Sequence, residues 1–123
     1  MRDYKNIKAF QLADSLVLEV YKVTRAFPKT EVYGIVSQVR RAAVSVVANI
    51  VEGASRQHKN DYLNFLYNSR ASMAETEYLL SLSYRLEYLS ELEFEKLEEY
   101  KDAAAKTLYG LIEAVSSEVS NKR

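Results

Sequence analysis

The sequence predicts an all-α protein, an antiparallel up-down-up-down four-helix bundle, on three observations. Apolar residues recur at steps of three and four through most of the 123 residues. Chain-breaking residues are scarce, with one proline and three glycines. Strand signals are missing: there is no Asn-Gly or Asp-Gly turn and no sustained apolar–polar alternation. The length suits a single domain over residues 1–123, and a hydrophobic content of 48% supplies side chain for one core.

The first helix is expected from near Asn6 to Ala26, because Phe10, Ala13, Val17, Val20, Thr24 and Phe27 form one stripe. Pro28 stops it, since the residue before a proline is pushed out of helical dihedrals. Thr30 is then placed to cap a second helix from Glu31 to about Ala54. That helix has two adjoining apolar stripes, Val32, Val39, Ala43, Val46 and Ile50 beside Val44, Val47 and Val51. It should be covered on both sides, by the bundle or by another subunit. Gly53 reads as fraying near its end, with a helical glycine as the other option.

The third helix is expected from Lys59 or Asn60 to about Glu87, with Tyr62, Phe65, Leu66, Met73, Leu80 and Leu86 in the core. Small residues between them, Ser69, Ala71, Ser72 and Ala74, would let a neighbouring backbone approach. Ser90 and Glu93 have capping-box spacing and Leu89 and Phe94 staple spacing, so a fourth helix should begin at about Glu91. Its stripe is Phe94, Leu97, Ala104, Leu108, Leu111 and Val115, and the tail Ser120 to Arg123 should fray. Short connections between four such helices imply the up-down-up-down order.

Little in the composition points to catalysis. The absence of cysteine excludes disulfides, thiolate metal sites and cysteine nucleophiles. Met1 to Lys8 are followed by no apolar run of secretory length and no apolar stretch is long enough to span a bilayer, so a soluble cytoplasmic protein is expected. His58 is the single histidine, at the junction of the second and third helices. No Glu-x-x-His pair of the di-iron bundles is present, and neither is a glycine-rich phosphate loop. Glu75 and Glu77 could be tried as ligands for a hard cation, but residues two apart on a helix point in different directions. The expectation is therefore no enzyme, no metal and no cofactor.

Binding is the better-supported class. The net charge is zero, yet residues 1–60 hold ten Lys/Arg against five Asp/Glu and residues 61–123 hold seven against twelve. The split of +5 and −5 fits either cancelling helices or a bipolar surface that steers a polyanion or a second subunit. Arg40, Arg41, Arg56 and Lys59 are the candidate phosphate contacts, since guanidinium forks match phosphate oxygens. Arg41 and Arg56 would lie about 22 Å apart along a continuous helix, too far to hold one small anion. For Arg41 the preferred reading is a hydrogen-bonded polar stripe with Ser45, Asn49 and Glu52, while Arg56 and Lys59 stay open. Ser45, Asn49, Glu52 and Glu75 form the expected structural polar motif. Ten tyrosines exceed what so small a core can hold, which favours oligomer contacts over base stacking.

The stretch Phe27 to Arg56, FPKTEVYGIVSQVRRAAVSVVANIVEGASR, resembles the four-helix-bundle proteins encoded within intervening sequences of bacterial 23S ribosomal RNA genes. The likeness rests on Phe27, Pro28, Glu31, Tyr33, Gly34, Ser37, Gln38, Arg40 and Arg41, continuing through Ala42, Ala43, Ser45, Asn49, Glu52, Gly53 and Arg56. On the third helix Phe65, Leu66, Ser72, Glu75 and Glu77 are similar as well. The resemblance implies a ring-shaped homo-pentamer without enzymatic activity. It extends to the accessory protein of diversity-generating retroelements, which binds nucleic acid and partners a reverse transcriptase; that protein is strongly basic, whereas this chain is neutral. Two functions are thus expected: a homo-oligomer whose basic residues contact RNA or DNA, or a scaffold that binds a protein partner without nucleic acid.

Overall fold

A computed structural model describes residues 2–121. Four helices carry the fold: α1 (Lys8–Thr24), α2 (Ile35–Ala54), α3 (Lys59–Arg85) and α4 (Glu91–Asn121). Short 3-10 turns at Tyr4–Asn6 and Lys29–Glu31 precede α1 and α2. Each helix packs against its neighbours in sequence, and α1 also packs against α4, which closes the ring of four. Cross-helix contacts fix the directions. Lys96 at the start of α4 meets Glu19 near the end of α1, and Lys59 at the start of α3 meets Glu118 near the end of α4. The bundle is therefore antiparallel and up-down-up-down.

The core follows the helical period. Ala9, Ala13, Leu16 and Val20 of α1 are buried against Val39, Val46 and Ile50 of α2, Leu66 and Leu80 of α3, and Leu97, Ala104, Leu108 and Ile112 of α4. Phe10 and Val17, expected in the core, are half-buried, because the inward stripe runs through Ala9 and Leu16. Likewise Ile112 is buried and Leu111 sits at the edge.

The α1–α2 connection differs most from expectation. Thr30 does not cap α2; it sits within the 3-10 turn, and α2 begins four residues later than Glu31, after Gly34. The chain spends those residues turning after Pro28, with Glu31 N donating to the Pro28 carbonyl at 2.9 Å. Glu31 takes over the capping role: its Oε1 faces the Ile35 amide at 3.5 Å, and its Oε2 accepts from the Tyr88 hydroxyl at 2.7 Å. A Cβ on Gly34 would fall 2.5 Å from Glu31 Oε1, so the absence of a side chain there leaves room for this carboxylate. Val32, outside the helix, is 47% exposed rather than in the core.

The other junctions lie close to expectation. α3 ends at Arg85 in a Schellman motif, with Tyr88 N donating to the Ser83 carbonyl and Glu87 N to the Tyr84 carbonyl, each at 2.9 Å. Glu87 occupies the left-handed position with φ of 66°, where glycine is usual. Leu86 is consequently 45% exposed, not buried. The capping box of α4 is formed: Ser90 N donates to Glu93 Oε1 at 2.8 Å and Glu93 N to Ser90 Oγ at 3.1 Å. Of the tail, Ser120 and Asn121 remain helical, and Lys122 and Arg123 lie outside the described residues.

The most extensive packing joins α2 and α3, and small residues make it. Ser69 is fully buried and donates to the Val46 carbonyl at 2.7 Å, drawing the two backbones together. Gly53 is buried inside α2 rather than frayed, and a Cβ there would lie 2.8 Å from Phe65 Cβ and 3.0 Å from the Tyr62 ring. Ala71 and Ala74, the other small residues of α3, are exposed and take no part in this approach. The second apolar stripe of α2 is only partly covered, with Val47 and Val51 half-buried and Val44 40% exposed.

Candidate nucleic-acid interface

The end of α1, the turn after Pro28 and the first half of α2 enclose an open groove of about 550 Å³. Its lining includes Arg25, Lys29, Arg40 and Arg41, two tyrosines, Tyr21 and Tyr33, and no acidic residue. Local sequence explains this. Residues 20–51 contain five Lys/Arg and a single acid, Glu31. The fold turns that one carboxylate away to Tyr88 and the start of α2. The hydrogen bond to Glu31, with burial and the carboxylate's charge, in turn holds the Tyr88 phenol above its ordinary value.

Arg40 is half-buried and held in place. Its Nε donates to Thr24 Oγ1 at 2.9 Å, an Nη2 faces the Tyr21 carbonyl at 3.4 Å, and its guanidinium lies over the Tyr21 ring at 4.5 Å. Thr24 Oγ1 accepts from Arg40 while donating to the Val20 carbonyl at 2.7 Å. Three of the five guanidinium hydrogens are left for a ligand. Arg41, by contrast, is exposed, and among the described residues neither it, Arg25 nor Lys29 forms an ion pair. The preferred sequence reading of Arg41, as part of a hydrogen-bonded stripe, is thus corrected: the outward azimuth of position 41 takes it to solvent, and Arg40 is the arginine tied to the fold.

Arg56 and Lys59 are not brought to this groove. They sit at the opposite end of α2, where Arg56 pairs with Glu52 at 3.3 Å and lies over the Phe65 ring, and Lys59 pairs with Glu118 at 3.3 Å. Arg2 reaches the same end, donating to the Arg56 carbonyl at 2.7 Å and covering the Tyr62 ring at 4.3 Å. Both ion pairs are substantially exposed and so hold the fold only weakly.

The polar motif divides in the same way. Ser45 Oγ meets Ser72 Oγ at 2.8 Å, and Asn49 Nδ2 donates to the Ser45 carbonyl at 2.8 Å and to its hydroxyl at 3.1 Å. Ser45 therefore links α2 to α3, while Asn49 bonds back to Ser45 within α2, Glu52 serves Arg56 and Glu75 is exposed on α3. Among the described residues no cluster of carboxylate or imidazole groups is placed to hold a metal ion, and Glu75 and Glu77 both face solvent. No described helix is long and apolar enough to cross a membrane. His58 is exposed as the residue preceding α3.

Residues 5–110, which include both the groove and the α2–α3 seam, match the family described as 23S rRNA-intervening sequence protein. The chain belongs to that family. A crystal structure of another member of the fold, a protein of unknown function from the S23 ribosomal protein family of Bacteroides thetaiotaomicron, is similar at a TM-score of 0.75 and 24% identity. The likeness covers 85% of this chain and 97% of that one. No curated protein matches the chain. The relatives thus give the bundle, and the binding chemistry has to be read from the chain's own residues. Arg25, Lys29, Tyr21 and Tyr33 escaped the sequence reading as groove residues. The usable signal was the one-sided charge of residues 20–51, which the half-chain totals averaged away.

Proposed function

We propose that this protein is a non-enzymatic, cytoplasmic homo-oligomer that binds RNA or DNA through the α1–α2 groove. One observation carries the reading: four cationic side chains, Arg25, Lys29, Arg40 and Arg41, line a concavity with no acidic residue in its walls. Such a site attracts a polyanion even though the whole chain is neutral, because exposed charges beyond a Debye length are screened and local charge decides. Arg40 is pre-positioned by Thr24 and Tyr21, so less side-chain entropy is lost when it meets a phosphate. Arg56 and Lys59, at the far end, are secondary contacts for a longer strand or for a strand running between subunits.

Anisotropy titrations of labelled RNA and DNA at two salt concentrations test this. Four phosphate contacts on a single strand predict a log–log salt slope of about 3, which is roughly fifty-fold weaker binding for a fourfold rise in salt. Absence of binding at low salt would end the proposal.

The homo-oligomer is proposed as a pentamer on the resemblance, and uncovered apolar groups such as Leu18, Leu92 and Tyr109 on α1 and α4 are what subunit contacts would bury. Light scattering after size exclusion tests it, and a mass of 14.1 kDa would mean a monomer. The scaffold alternative draws on the same surface: α4 carries Glu91, Glu95 and Glu99 exposed beside Leu92, which is 77% exposed, a surface suited to a basic protein partner.

A further inference from the structure

Resting on the nucleic-acid reading above, we infer that the groove takes a single strand rather than a duplex, with Tyr33 as the platform on which one base stacks. Of the three aromatic rings of the groove, Phe27 is buried against Tyr88, and the two tyrosines are in different states. Tyr21 is covered on one face by the Arg40 guanidinium at 4.5 Å, and so belongs to the apparatus that positions Arg40. Tyr33 is 96% exposed, between the 3-10 turn and Gly34, and its ring packs on no aromatic or cationic group among the described residues. Exposure of that extent gains nothing for folding, since an aromatic ring stabilises a fold by what it buries.

The backbone that carries the ring is held in place. The Pro28–Glu31 and Glu31–Gly34 backbone hydrogen bonds, of 2.9 and 3.0 Å, hold the turn on either side, and Glu31 anchors it to Tyr88 at 2.7 Å. A base stacking on Tyr33 would therefore meet a turn that is already ordered.

The ligand class follows from what each partner offers. In a duplex the base faces are stacked on one another, so a protruding ring meets only base edges or backbone unless a base is flipped out. A single strand presents free base faces to an aromatic ring and phosphates to cations, in alternation along its backbone. The groove offers that pair of features: Tyr33 at one side, with Lys29, Arg40 and Arg41 in the same lining. Its volume of about 550 Å³ is that of a small-ligand pocket, room for about one or two bases rather than a helical face, with the strand's flanking phosphates on the exposed cations around it. An acidic peptide could satisfy the cations but would leave Tyr33 without use. Base stacking also tolerates any sequence, so the site should show little base preference, and both RNA and DNA strands are admissible.

The experiment uses the full chain with labelled oligouridylate, oligothymidylate, an abasic strand of equal length, a duplex of equal length and an oligoglutamate competitor. Tyr33→Ala should weaken binding of the oligouridylate and the oligothymidylate about tenfold, while Tyr33→Phe leaves it unchanged. The abasic strand should bind more weakly and ignore Tyr33→Ala. Comparison of the two oligonucleotides decides whether the 2′-hydroxyl matters. Equal affinity for duplex and single strand, with Tyr33→Ala silent, would overturn the inference while leaving a cationic nucleic-acid groove standing. Oligoglutamate displacing the strand at equal charge, again with Tyr33→Ala silent, would overturn it in favour of an acidic protein ligand. No binding of any nucleic acid would remove the underlying reading as well.

Discussion

Towards α3, helix α2 presents Ser45, Asn49 and Gly53, and each is matched: Ser45 by the Ser72 hydroxyl at 2.8 Å, Asn49 by the Ser45 carbonyl of its own helix at 2.8 Å, and Gly53 by a side-chain wall of α3 that leaves no space for a Cβ. Towards α1 and solvent the same helix presents Arg40 and Arg41, and among the described residues neither meets a carboxylate. Among the described residues no buried side-chain nitrogen or oxygen lacks a hydrogen-bond partner. The inner side thus uses its polar groups to set the spacing and register of two helices. The outer side ties Arg40 to Thr24 and Tyr21 of α1 and leaves Arg41 exposed to solvent. One helix carries both because a polar side chain that is buried must be satisfied internally, whereas one on the surface need not be.

Substitutions on the two sides should therefore separate stability from binding. The largest effect is expected at Gly53→Val, which drives methyl groups into Phe65 and Tyr62 and should lower unfolding free energy by about 3 kcal/mol in urea titration. Unchanged stability would mean that α2 and α3 can part without cost. Lys29→Glu combined with Arg41→Glu should weaken nucleic-acid binding roughly thirty-fold at low salt and move stability by less than about 0.5 kcal/mol. Equal losses of binding and stability would erase the contrast between the two sides. Ser69→Ala removes a buried hydroxyl whose acceptor, the Val46 carbonyl, keeps its place in the helix, so about 1 kcal/mol is expected from thermal or urea unfolding.

Two smaller effects sharpen the picture away from α2. Glu87 sits at φ of 66°, so Glu87→Gly should stabilise by about 0.5 kcal/mol, the relief of strain being partly offset by a more flexible unfolded chain. The last effect is a pH dependence that shows only in alkali. Lys101 of α4 is buried, which disfavours its charge, yet its hydrogen bonds to Asp102 and Glu98, with the charges of Glu98 and Glu77, raise its pKa above 10.5. Its contribution is fully present below the unfolded value of 10.5 and is lost as pH rises through the higher folded value. Lys96, paired with Glu19, and the phenols of Tyr62 and Tyr88 are shifted upward too, so stability should fall in alkali. Urea midpoints measured from neutral pH to about pH 11 should decline, and Lys101→Met should flatten part of that decline.

Helices α1, α3 and α4 were legible to within a few residues because their apolar stripes and end signals are local. Ser90 and Glu93 identify a helix start by spacing alone, and both capping bonds are made. The start of α2 was not legible. Thr30 has the right chemistry for a cap, but Glu31 is claimed by Tyr88, 57 residues away, and the chain follows that longer-range contact. Arg40 and Arg41 are alike in sequence and differ only in azimuth: one turns towards Thr24 of α1 and the other does not.

By itself, then, the sequence determined the fold class, the order of four helices, the α3–α4 capping box and the lack of cysteine chemistry, because periodicity, caps and composition act over a few residues. The tertiary structure decided which cations gather, since Arg25 and Lys29 join Arg40 and Arg41 only when the end of α1 folds back beside α2. It also decided that Arg56 and Lys59 answer to Glu52 and Glu118 at the other end. Tyr33 stands free of the core because the turn after Pro28, anchored through Glu31 to Tyr88, holds it outside α2.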